Sequence, residues 1–76
     1  MIDHNIKKQL QIKIIIDAIK TKKTISPYNV FPFRNELRLI LKNDQKSSIY
    51  LEQLIIEAEI SLQNILYFYP HFSSIE

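Results

Sequence analysis

The chain of 76 residues contains no cysteine, no glycine and no tryptophan. Because cysteine is absent, no disulfide and no thiolate metal ligand can reinforce a domain this small. Because glycine is absent, phosphate-binding loops, the dinucleotide fingerprint and the nucleophile elbow are excluded, since each needs positive φ or close backbone approach. We therefore predict a protein that is not an enzyme and binds no cofactor.

Long apolar runs are also missing. No stretch of 18 apolar residues occurs, and the first residues lack a basic segment followed by an apolar core. These patterns predict a cytoplasmic protein that does not span a membrane. The length predicts a single domain, residues 1–76, and a chain this short often gains stability by association.

Few residues have the chemistry of a catalytic or metal site. His4 and His71 lie near opposite ends of the sequence, whereas a zinc site needs three or four converging ligands. Ser73 and Ser74 neighbour His71 in a short terminal segment, which does not hold a nucleophile against its base. We predict no catalytic and no metal-binding residues.

Apolar spacing predicts an all-α fold of three helices, over about residues 3–23, 33–43 and 47–69. The last helix is the longest, and the arrangement is an antiparallel hairpin or a small bundle. Residues 9–16 leave strand as an alternative, because Leu10 to Ile14 alternates in polarity. As a helix, the first segment has two apolar faces, which comprise Ile12, Ile15, Ile16 and Ile19 on one side and Ile6, Leu10 and Ile14 on the other.

Proline and aromatic residues interrupt the pattern between the first two helices. Ser26 followed by Pro27 is typical of a helix N-cap with proline at the first helical position. Pro32 disfavours helical backbone at Phe31, so any turn here is expected to be short. The apolar segment 28–33 is either a loop folded onto the core or an exposed aromatic docking patch.

The spacing of the second helix predicts an inward apolar face and a basic flank. The inward face comprises Phe33, Leu37, Ile40 and Leu41. Three cations follow at i+4 spacing on a flank that we call the basic ridge, and it comprises Arg34, Arg38 and Lys42. After this helix, Asn43 is expected to take the left-handed C-cap position, and Asp44 or Ser47 to cap the third helix.

The third helix carries two apolar stripes on opposite sides. At about 100° per residue one face comprises Leu51, Leu54, Ile55, Ala58, Leu62, Ile65, Leu66 and Tyr69. The other, which we call the outer stripe of the third helix, comprises Ile49, Ile56, Ile60 and Tyr67, with Phe68 beside it. A surface helix of a small monomer needs one apolar side, so the outer stripe is expected to be buried against more of its own chain, a second copy or a partner. We predict that it binds a partner or a second copy.

Charge is divided along the sequence. Residues 1–46 hold all ten lysines and arginines against four carboxylates, a net +6, while residues 47–76 hold four carboxylates and no base, a net −4. Either the two halves attract each other across the folded surface, or one end meets a charged partner.

Two resemblances to known families follow from these patterns. The residues Ile55, Ala58, Glu59, Leu62, Ile65, Tyr67 and Tyr69 make the third helix resemble the YscE/SsaE-type chaperones of bacterial type III secretion, over about 20 residues. That resemblance implies a helical co-chaperone that pairs with a second chaperone and keeps the needle subunit from polymerising early. The residues Ile15, Ile16, Ile19, Thr24, Ile25, Ser26 and Val30 resemble AriR-type biofilm and connector regulators, which implies a dimeric three-helix signalling protein with proposed DNA binding.

These observations predict a protein-binding module, a small chaperone or adaptor that buries an apolar helix face against a partner or itself. The alternative is a small dimeric regulator that binds nucleic acid or an acidic partner through the basic ridge. A further alternative is a small inhibitor or immunity protein.

Overall fold

The computed structural model describes residues 4–68, with side-chain detail for residues 4–65. Its helices are α1 (His4–Lys20), α2 (Pro27–Val30), a 3₁₀ turn (Phe31–Phe33), α3 (Arg34–Leu41) and α4 (Gln45–Phe68). The all-α prediction is confirmed, and the three longer helices lie where the spacing placed them. Residues 9–16 are helical throughout.

Helix α1 ends on a lysine in a position that usually belongs to glycine. The N–H of Lys23 donates to the carbonyl of Ala18 (2.9 Å), and the N–H of Lys22 donates to that of Ile19 (3.2 Å). These two bonds form a Schellman C-cap, in which Lys22 is left-handed with φ of 58°. A residue with a Cβ is sterically strained there, and this chain has no glycine to relieve the strain.

We expect Lys22→Gly to raise the free energy of unfolding by about 1 kcal/mol, because it removes the Cβ from a left-handed residue. Lys20→Gly, in the last turn of α1, is the matched control and should lower it by about 1 kcal/mol. Urea unfolding followed by circular dichroism measures both values. A loss of stability in both variants would show that Lys22 is not strained.

Residues 27–33, between α1 and α3, are helical rather than a loop, while residues 21–26 form the connection that precedes them. Ser26 caps α2 as predicted, its Oγ accepting from the N–H of Tyr28 at 3.3 Å, with Pro27 at the first position. The expectation for Phe31 is wrong, since its backbone is helical (φ −55°, ψ −44°). Pro32 lies in the first turn of the 3₁₀ segment, where its missing N–H is not needed. The guanidinium of Arg34 holds this turn, donating to the Phe31 carbonyl at 3.0 Å and lying 4.2 Å from the ring centroid.

The junction between α3 and α4 is capped by Asp44. Its Oδ1 accepts from the N–H of Ser47 (3.3 Å) and its Oδ2 from the hydroxyl of the same buried residue (2.7 Å). The hydroxyl bond is the main cause that lowers the pKa of the Asp44 carboxyl. The prediction of a left-handed Asn43 is wrong, because the turn closes with the Asp44 N–H on the Leu41 carbonyl (3.0 Å) and needs no positive φ.

Helix α4 crosses the core and contacts α1, α2, α3 and the 3₁₀ turn. The shortest dimension of the molecule, 20 Å, corresponds to two layers of helices. The prediction that Ile40 faces the core is wrong, because its side chain is exposed. Leu37 and Leu41 occupy the inner side of α3, and Ile40 lies about 60° to one side of Leu37. The core cluster comprises Ile12, Ile15, Ile19, Val30, Leu37, Leu41, Leu51, Leu54 and Ile55.

Candidate protein-binding surface

The inner face of α4 is buried only along the first part of the helix. Leu51 and Ala58 are fully buried, but none of the described residues after Ala58 is. Leu62 and Ile65, which the sequence assigned to the core face, are 38% and 47% exposed. With 24 residues, α4 is about 36 Å long, and it extends past the elements that cover its inner face.

The outer stripe of α4 lies on the surface. Ile49, Ile56 and Ile60 are 52–54% exposed, and they point about 170° away from the buried side of the same helix. No part of the chain within residues 4–65 therefore covers this stripe. Tyr67 and Phe68 lie in the last turn of α4, and their side chains are outside the described part of the structure.

A second exposed apolar stripe lies on helix α1, and the sequence pattern alone indicates no function for it. We call it the outer stripe of α1: Ile6, Leu10 and Ile14, which are 55–66% exposed. It points about 175° away from the side that buries Ile12, Ile15 and Ile19. The i+4 spacing was visible in the sequence, but only the structure shows that none of the described elements covers these residues.

Two apolar grooves run along α1, one on each side of its outer stripe. A groove of about 620 Å³ separates α1 from α2 and the 3₁₀ turn, and Ile14, Tyr28 and Phe33 line part of it. A second groove of about 440 Å³ lies towards α3, between Ile6, Leu10 and the exposed Ile40. The outer stripe of α1 thus belongs to a broader apolar surface.

The basic ridge is engaged within the chain. Arg38 binds Glu52 of α4 with two parallel hydrogen bonds, Nε to Oε2 at 2.9 Å and Nη2 to Oε1 at 3.0 Å. This bond lowers the pKa of the Glu52 carboxyl and raises the pKa of Arg38. Arg34 contacts Phe31 as described above, and Lys42 is exposed. The ridge is therefore not a row of three free cations.

Charge is also neutralised between α1 and α3. The Nζ of Lys8 lies 2.8 Å from Oε2 of Glu36, and this hydrogen bond is the largest cause that lowers the pKa of the Glu36 carboxyl. Lys8 and Glu36 both belong to the basic half of the sequence, whereas the Arg38–Glu52 pair joins the two halves and fits the expectation that they attract each other. Both pairs are exposed and contribute little to stability.

Near their centres, the two outer stripes are flanked by charges of opposite sign. Lys7 and Lys13 lie about 60° to either side of the outer stripe of α1. Glu57 and Glu59 lie about 80° to either side of the outer stripe of α4. All four side chains are exposed.

Residues 4–68 include no group of three or more histidine, cysteine, aspartate or glutamate side chains that could hold a metal ion. None of the helices within that range is long and apolar enough to cross a membrane. His71, Ser73 and Ser74 lie outside the described residues. The chain matches no model of a known protein family, no curated protein and no solved structure. The two resemblances stated above therefore stay predictions.

Proposed function

We propose that this protein is a non-enzymatic binding module whose α4 outer stripe packs against an amphipathic helix of a protein partner. The observation that carries the proposal is the row formed by Ile49, Ile56 and Ile60, half exposed, opposite the buried side of a helix that extends past the core. Anchors about four and seven residues apart are those by which one helix recognises another. The flanking Glu57 and Glu59 favour a partner helix with basic edges.

The size of the apolar surface fits a reversible complex. Each of the three isoleucines is about half exposed, so its complete burial contributes about 1 kcal/mol, half the value for a full side chain. About 3 kcal/mol from the three isoleucines, before the costs of association, supports an adaptor that binds and releases its partner rather than a permanent assembly.

The test uses a synthetic helical peptide with leucines at i, i+4 and i+7 and lysines on both flanks. We expect the wild-type chain to bind it, and Ile56→Asp with Ile60→Asp to weaken binding at least about 100-fold, because two carboxylates are then desolvated at the contact. Leu39→Asp with Asn35→Asp adds the same charge at exposed positions of α3 and should leave binding unchanged. Isothermal titration calorimetry measures the affinities.

Circular dichroism of the Ile56→Asp, Ile60→Asp variant decides whether loss of binding is specific. Both positions are half exposed, so the helical signal should equal that of the wild type. A variant that unfolds would mean that the stripe stabilises the domain itself, and the proposal would be wrong.

The regulator with a nucleic-acid-binding ridge has less support, because Arg38 is paired with Glu52 and Arg34 is engaged at Phe31. The more specific roles, a type III secretion co-chaperone and a small inhibitor or immunity protein, both require a protein partner. Each is therefore a special case of the binding module proposed here.

A further inference from the structure

We infer that the helix which occupies the outer stripe of α4 is α1 of a second copy of this chain, packed through the outer stripe of α1. The inference rests on the proposed function and names its partner. It starts from a property that the two stripes share: each is a row of three apolar side chains, more than half exposed, directed away from the same core.

The two stripes cannot meet within one molecule. On each helix the opposite side is buried in the common core cluster, through Ile12 and Ile15 on α1 and Leu51 and Ile55 on α4. Among the described residues nothing covers either outer stripe, so each is open to another molecule. Each copy therefore offers one stripe of each kind.

Charge complementarity selects the pairing of unlike stripes. Lys7 and Lys13 flank the stripe of α1, and Glu57 and Glu59 flank the stripe of α4. When α1 of one copy lies on α4 of another, the lysines face carboxylates across the contact. Charges placed in this way favour the correct partner and disfavour others.

Pairing of like stripes has the opposite consequence. Two copies of α4 in antiparallel contact around Ile56 place Glu57 and Glu59 of both copies near the centre of the interface. Two copies of α1 in antiparallel contact around Leu10 place Lys7 and Lys13 of both copies at the edges of one contact. Both arrangements bring like charges together, which is unfavourable at a desolvated contact.

Charges at one end of each stripe indicate the direction of the helices. Asp17 continues the outer stripe of α1 at its C-terminal end, and Lys46 flanks the outer stripe of α4 at its N-terminal end. An antiparallel arrangement with Leu10 on Ile56 brings Asp17 towards Lys46, whereas a parallel arrangement separates these two residues along the contact. We therefore assign the antiparallel direction.

Two variants, each blocked on one stripe, test the inference by complementation. Leu10→Glu blocks the stripe of α1, and Ile56→Lys blocks the stripe of α4. The wild-type chain should self-associate, each variant alone should be monomeric, and an equimolar mixture should form a one-to-one dimer through the two stripes that are intact. Size-exclusion chromatography with light scattering measures the mass, and circular dichroism confirms that both variants are folded.

Leu39 provides controls for both variants, since it is exposed on α3 and outside both stripes. Leu39→Glu and Leu39→Lys introduce the same charges and should associate as the wild type does. If Ile56→Lys does not fold, Ile60→Lys blocks the same stripe.

Several outcomes would overturn the inference. Self-association that survives in Leu10→Glu would indicate contact between two α4 stripes, and a mixture that stays monomeric would exclude the unlike pairing. A monomeric wild-type chain that still binds the lysine-flanked peptide would overturn the inference and leave the proposed function standing. A monomeric chain that does not bind the peptide would overturn both.

Discussion

Val30→Asp is expected to unfold the domain at 25 °C. Val30 lies in the four-residue helix α2 and is fully buried against the core cluster. A carboxylate at this position has no partner, and burying it costs more than about 4 kcal/mol. A single domain of this size rarely has more than about 5 kcal/mol of stability, so the loss is comparable to the whole. Far-ultraviolet circular dichroism at neutral pH measures the fraction folded.

The neighbouring residue supplies a matched control for this variant. Asn29 is exposed, and its N–H donates to the carbonyl of Ser26 in the first turn of α2. Asn29→Asp introduces the same carboxylate near a helix N-terminus, where negative charge is favourable, and should be neutral or slightly stabilising. A folded Val30→Asp variant would mean that α2 is not part of the core, and that the segment 28–33 is instead an exposed patch.

Leu51→Ala is expected to lower the free energy of unfolding by about 3 kcal/mol. Leu51 is fully buried where α4 crosses the core, and the substitution removes three carbon atoms and leaves a cavity. Such a loss is more than half the stability of a domain this small. Urea unfolding, with the midpoint and slope fitted together, gives the value.

Ile49→Ala is the control for Leu51→Ala, because it removes the same number of carbon atoms two residues away on the outer stripe. Its expected cost is below about 1 kcal/mol, since Ile49 is 54% exposed. Measurements at low protein concentration keep association from contributing. Equal costs for the two variants would show that the outer stripe is buried in the folded monomer, against both the proposed function and the core described here.

The periodicity of the sequence predicted most of the fold, because the inner faces of α1 and α4 repeat apolar residues over several turns. Leu51, Leu54, Ile55 and Ala58 are buried as that repeat requires. Ser26 and Asp44 were also predictable as caps, since a cap depends only on a local side chain and the adjacent N–H groups.

Other features could not be predicted, because they depend on contacts distant in sequence or on competing local forces. The same apolar repeat continues to Leu62 and Ile65, but burial stops at Ala58, beyond which no element within the described residues covers α4. The steric preference of Phe31 before proline was overridden by the Arg34 guanidinium, which binds both its carbonyl and its ring. The left-handed residue fell on Lys22 rather than Asn43, since the turn after α3 closes around the Asp44 cap.

Because α4 extends past the core, the free energy of local opening differs between two parts of the same helix. Amide protons between Leu51 and Ala58 are expected to exchange with solvent mainly when the whole domain unfolds, whereas those from Leu62 to Ile65 are expected to exchange by local opening that exposes no core. A molecule that covers this second part orders it while binding it, so some of the interaction free energy goes into completing the helix. Hydrogen exchange at these few amides is therefore expected to slow on binding. Its rate reports whether α4 is occupied, independently of the stability of the domain.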